Sequence, residues 1–121
     1  MPQRMRMAAA VVALLVLVVG CTKTSDEVDT GARSEALEHA RTACDLTGKA
    51  GEAAEVDTPE RYAAAAFLMD NAIIESERAA LGAAEFTALD RAVQAVHAAA
   101  HRGDREEWKK ALETALDACS D

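Results

Sequence analysis

The side chains that could do chemistry are few. Three histidines occur, and two of them, His97 and His101, stand one helical turn apart. On a helix they share a face and could hold one divalent ion between them. That face borders a seam of Val93, Val96 and Ala100. No third ligand is apparent in the sequence. The plainer reading is electrostatic: two histidines in the last turn of a helix complement the negative end of its dipole. No metal and no cofactor are therefore expected. His39 follows Glu38 and is expected at the surface, turned away from Leu37, Ala40 and Cys44.

The patterns that mark catalysis are missing. A carboxylate-bridged metal centre in a helical bundle wants Glu-x-x-His on each of two helices, and no Glu-x-x-His occurs here. There is no Gly-rich phosphate loop, no G-x-S-x-G elbow and no C-x-x-C pair. A cysteine nucleophile needs a base beside it. His39 precedes Cys44 by five residues, about 500° around a helix at about 100° per residue, so the two point apart. The acidic groups Asp26/Glu27/Asp29, Glu75/Glu77 and Glu106/Glu107 are expected on solvent faces among Arg and Lys. Asp70-Asn71 is the one polar pair inside the most apolar segment. It reads as an outward polar edge, or else as the cap of a groove. No enzyme is expected.

Helices must position these groups. Alanine, the best helix former, dominates the chain after Arg33. β-branched residues are sparse and never alternate over a strand length. A first helix is predicted from Ser34, as N-cap, to about Thr47, with Gly48 beyond its end and Leu37, Ala40 and Cys44 sharing its apolar face. Lys49 to Asp57 reads as a loop. Thr58-Pro59-Glu60 is a helix start: N-cap, proline at N1, carboxylate in the first turn. The second helix carries Tyr62, Ala66, Met69 and Ile73, with Phe67, Leu68 and Ile74 broadening the stripe, and runs to about Ala80. Gly82 either stops it or only bends it. A third helix carries Phe86, Leu89, Val93, Val96 and Ala100, and Gly103 breaks it. Asp104 opens a fourth, with Glu107 at capping-box spacing. Trp108, Leu112, Ala115, Leu116 and Cys119 line its inner face. Tyr62, Phe67, Phe86 and Trp108 are expected to fill most of the core. The fold class is all-α: a compact bundle of about four short antiparallel helices over residues 34–121.

The N-terminus has a different character. Arg4 and Arg6 make a cationic start without an acid, and an apolar run follows from Met7 to Val19. As a helix that run is about 20 Å long, short of the ~20 residues a stable span needs and suited to the apolar core of a signal peptide. It ends in Leu17-Val18-Val19-Gly20-Cys21. This resembles the lipobox of bacterial lipoproteins, with Val18 near the place where leucine is preferred. The resemblance implies a diacylglycerol thioether on Cys21 and cleavage between Gly20 and Cys21. Residues 1–20 are then a signal peptide and 21–33 a polar, lipidated tether. In composition and layout, residues 34–121 resemble small alanine-rich exported helical proteins of high-GC actinobacteria. Many of these have a cysteine in the first helix and another near the C-terminus, and the group has no uniform activity.

Export shapes the remaining expectations. The formal net charge is −8, and all 21 acidic residues lie after Gly20. Loss of Arg4 and Arg6 leaves the processed chain more acidic still. Such a surface repels nucleic acid and anionic headgroups, so membrane affinity rests on the lipid. Cys44 and Cys119 remain once Cys21 is acylated. In an exported chain an even pair reads as a disulfide, with two buried thiols or a shared metal ion as the alternatives. The expected role is a non-catalytic binding or adaptor module, lipid-anchored on the extracytoplasmic face of the cell membrane, with an envelope or phage protein as partner. Two alternatives stand beside it. One is a superinfection-exclusion lipoprotein of phage or prophage origin. The other is a metal or small-ligand carrier resting on His97 and His101.

Overall fold

The computed structural model describes residues 31–120. The segment expected to be a signal peptide, with Gly20 and Cys21, and the expected tether as far as Thr30 lie outside the described residues. Helix α1 covers 31–53. It is followed by α2 (Pro59–Gly82), a single 3₁₀ turn (Ala84–Phe86), α3 (Thr87–Arg102) and α4 (Arg105–Ser120). No strand occurs among the described residues, and no helix there is long and apolar enough to cross a membrane.

Cross-helix contacts fix an up-down-up-down order. His39 on α1 meets Glu75 on α2, and Arg33 further back meets Glu85 beyond the end of α2. Ser76 on α2 meets Asp90 on α3, while Asp70 meets His97. The ring closes between α1 and α4, where Cys44 lies opposite Cys119 with Cα atoms 5.7 Å apart across a sequence separation of 75. The Gly51–Leu112 contact extends that pairing. In each pair of helices the numbers run in opposite directions, so every neighbour is antiparallel.

The buried stripes are built mostly from small residues. On α1 they are Ala36, Ala40, Ala43, Thr47 and Ala50; on α2, Ala65, Met69, Ala72, Ser76 and Ala79. Both follow the 4-3-4-3 spacing of one helical face. Helix α3 contributes Leu89, Ala92, Val93, Val96 and Ala99, and α4 contributes Trp108, Ala111 and Ala115. The two buried hydroxyls are both satisfied. Thr47 Oγ1 donates to the Ala43 carbonyl at 2.8 Å, and Ser76 Oγ donates to Asp90 Oδ1 at 2.8 Å. Among the described residues no buried side-chain nitrogen or oxygen lacks a partner, as a low-dielectric interior requires.

The helix ends follow local chemistry. Thr58 is extended and its Oγ1 accepts from the Arg61 N–H, with Pro59 directly after it. Helix α2 stops at Gly82, and Ala83 is extended, so the break is a turn and not a bend. Gly103 is left-handed at φ 69°. Its N–H reaches the Ala100 carbonyl and the Asp104 N–H reaches that of Ala99, which is a Schellman ending. Asp104 Oδ1 then accepts from the Glu107 N–H at 3.1 Å and caps α4. Arg105 is a cation at the positive end of α4, which the helix dipole disfavours. It pairs with Asp57 and stacks 4.7 Å from the Tyr62 ring. Tyr62 in turn meets Trp108 edge-on at 6.3 Å.

Five expectations need correction. Leu116, expected on the inner face of α4, is exposed. Helix α1 does not end at Thr47; it runs through Gly48 and Gly51 to 53, and Ser34 lies inside it rather than capping it. Gly51 is there for packing. A Cβ at that position would come within 3.2 Å of Leu112 Cδ2, so its absence lets α4 approach. Leu37 is not on the buried face of α1 but exposed, and the stripe is turned toward Ala36. Phe67 fills no core volume: it is 67% exposed, and Ile74 is exposed on the same side of α2. Alanine-lined helices approach too closely to leave room for a phenylalanine between them.

Gly48 has open space where its Cβ would be. Gly48→Ala should therefore stabilise the domain by about 0.5–1 kcal/mol, through helix propensity alone. Gly51→Ala gains the same propensity but must displace Leu112, so its benefit should be smaller. Thermal melts followed by circular dichroism check this, and equal gains at both positions would refute the packing role of Gly51.

Candidate functional site

One cluster brings potential ligands together from two helices. Asp70 lies on α2 directly after the buried Met69, and His97 lies on α3 directly after the buried Val96. Each therefore sits at the rim of its helix's buried stripe. The antiparallel register of α2 and α3 is pinned by Ser76 and Asp90. That register sets Asp70 across from the last two turns of α3. His97 Nε2 lies 2.8 Å from Asp70 Oδ1, and His101 Nε2 lies 2.7 Å from the same oxygen. The two imidazole centroids are 4.4 Å apart.

In this arrangement both rings donate an Nε2–H to one carboxylate oxygen. The His101 hydrogen bond is the largest influence on Asp70 and that of His97 the next. Together they hold its carboxyl below the ordinary value of 3.8, against a small opposing effect of burial. The site is open to water: the side chains of Asp70 and His97 are 49% and 27% exposed, and that of His101 49%. One ligand atom from each of the three residues falls within 4.8 Å of the others.

Sequence reasoning paired His97 with His101 and remarked on Asp70, but did not join them. Asp70 supplies the third potential ligand atom that was not apparent. The signal lay in its type, a carboxylate in the most apolar segment; its partner depended on register. Asn71 is separate from the cluster and folds back, its Nδ2 donating to the Phe67 carbonyl at 3.2 Å. His39 is not a plain surface residue. Its Nδ1 lies 2.6 Å from Glu75 Oε2, and both side chains are half-buried between α1 and α2. Glu75 is thus taken off the solvent face, while Glu106 and Glu107 sit in the first turn of α4. Cys44 and Cys119 are at disulfide distance. Cys21, Gly20 and the Asp26/Glu27/Asp29 group lie outside the described residues.

A shallow depression is lined by Glu77, Ala80, Leu81 and Asp90. Asp90 is already engaged there by Ser76 and Gln94.

No protein-family model, curated protein or solved structure matches this chain.

The depressed carboxyl of Asp70 has a pH signature. Its folded value lies below the unfolded one, so its contribution to stability is present above about pH 3.8 and lost as pH falls through the folded value. Asp70→Asn is expected to lower the Tm at neutral pH by an amount worth no more than ~1 kcal/mol, the range of exposed ion pairs. The gap to the unmodified protein should close as the pH drops below 3.8. Melts between neutral and strongly acidic pH check this, and a gap that persists in acid would contradict it.

Proposed function

We propose that this chain is an exported lipoprotein whose helical domain is a non-catalytic binding or adaptor module. It is held by lipid on Cys21 at the extracytoplasmic face of the cell membrane. The observation that carries the reading is Leu17-Val18-Val19-Gly20-Cys21 after a cationic start and a short apolar run. Two acyl chains on one cysteine give durable anchoring, because each buried CH₂ contributes about 0.8 kcal/mol.

The folded domain fits that setting. Cys44 and Cys119 stand at disulfide distance, and an exported chain meets conditions in which such a pair oxidises. A loop of this length stabilises by about 4 kcal/mol in the chain-entropy account, a large increment for a domain with so small a core. The binding face we favour is on α2. Phe67, Ile74 and Leu81 are exposed there at seven-residue intervals, so they fall on one side of the helix. An exposed apolar stripe of this kind is a surface for protein contact.

Mass spectrometry of the membrane fraction tests the anchor. The protein should carry a diacylglyceryl group on Cys21 and begin there; Cys21→Ser should abolish both acylation and cleavage. A Cys21→Ser chain that stays acylated would end the lipoprotein reading. The adaptor role is tested in intact cells with a photo-cross-linker in place of Phe67 or Ile74. One dominant envelope protein should be captured, and the same probe at the exposed Glu113 of α4 should capture none. Equal capture at Glu113 would remove the α2 face from the reading, and no capture at all would remove the adaptor role.

A further inference from the structure

We infer that Asp70, His97 and His101 form a binding site for one divalent transition-metal ion of the zinc class, bridging α2 and α3. The donor set is two imidazole nitrogens and one carboxylate oxygen, which zinc takes readily. Three protein ligands with a fourth position left to solvent is the arrangement of open zinc sites. The two histidines come from successive turns of one helix and the aspartate from its neighbour. The ion would therefore be held from two rigid elements, with no loop between.

The distances fit with little movement. Zinc bonds to nitrogen and oxygen are about 2.0–2.2 Å long, so tetrahedral donors stand about 3.3–3.5 Å apart. The two donor pairs sharing Asp70 Oδ1 are at 2.8 and 2.7 Å, held together as hydrogen bonds. An ion entering between them needs each pair to widen by about 0.5–0.8 Å. Both rings are partly exposed and can make that adjustment by small side-chain rotations.

Binding has a defined proton balance. Each imidazole must present a lone pair at Nε2 in place of its N–H. A neutral ring does this by moving its proton to Nδ1, with no net release; a protonated ring gives one proton to solvent. Two neutral ligands and one carboxylate leave a single positive charge on a bound dication, which a chain of net charge −8 accommodates.

The test uses the untagged full-length protein in detergent, titrated with zinc chloride by calorimetry. One ion per chain should bind at micromolar zinc, and the Tm should rise with zinc concentration but not with magnesium. Loss of even an outer-shell partner costs metal sites about 10–100-fold in affinity. His101→Gln, His97→Gln and Asp70→Asn should each weaken zinc at least that much, while His39→Gln leaves it unchanged. His101 is half-exposed, so His101→Gln should keep its helix content and separates loss of a ligand from loss of fold. Cobalt(II) gives an independent readout: a four-coordinate site yields an intense visible band that His101→Gln removes. Absence of stoichiometric zinc uptake, or uptake that His39→Gln weakens as much as His101→Gln, overturns the site and leaves the cluster a hydrogen-bonded clasp between two helices.

Discussion

The structure depends on helices lined with alanine. Among the described residues, eleven of the positions that would separate the helices in an ordinary bundle are instead alanines buried on facing stripes, from Ala36 and Ala40 on α1 to Ala111 and Ala115 on α4. Small side chains let backbones approach, and close approach makes each helix sensitive to what its neighbour presents. Gly51 shows the limit of that economy: Leu112 rests where a Cβ would stand. The same closeness leaves Phe67 on the outside. The larger buried side chains, Met69, Leu89, Val93, Val96 and Trp108, are spread over α2, α3 and α4, so no one pair of helices holds the core. With little apolar area per residue, a tie between Cys44 of the first helix and Cys119 of the last, which stand at disulfide distance, would count for more than in a large domain.

Closely spaced stripes also make the register specific. A buried Ser76 finds Asp90 across the α2–α3 seam as well as the Ile73 carbonyl of its own helix, and sliding one helix by a turn would forfeit the charged acceptor. A hydrogen bond to a charged group contributes about 1.5–3 kcal/mol. The penalty ties the two helices to one alignment, and that alignment carries Asp70 to His97 and His101. The cluster at the open rim is in this sense set from the buried side, about two to three helical turns from the hydrogen bond's own residue on α3.

What could be read from the sequence divides along the same line. Helix class, the Thr58-Pro59 start, the Gly103 stop and the Asp104 cap depend on a few neighbouring residues, and each was legible. The α3 seam was legible because Val93 and Val96 have no other place to go. Gly48 and Gly51 misled because a glycine's meaning is set by its partner: one faces open space and the other faces Leu112. Leu37 and Phe67 misled because size was taken as the sign of burial, whereas alanine-lined seams reverse that rule. His97 and His101 could be paired from spacing alone. Their meeting with Asp70, like that of His39 with Glu75, is a property of register between helices, which no local pattern encodes.

The placement of the exposed groups follows from this economy as well. A bundle that closes on small residues leaves its ligand-type and large apolar side chains at the rims and outer faces. On α2 two such features adjoin. Asp70 is three residues after Phe67 and four before Ile74, spacings that place side chains side by side on a helix. The carboxylate that gathers the two histidines of α3 thus borders the exposed apolar stripe. Histidines and aspartate are tied by hydrogen bonds, while Phe67, Ile74 and Leu81 are exposed. One element, α2, presents both a polar cluster with fixed geometry and an exposed apolar face, and its inner side is the stripe from Ala65 to Ala79 on which the bundle closes. Substitutions on its outer side can therefore be read for binding with little disturbance of the fold, whereas the inner side admits almost none.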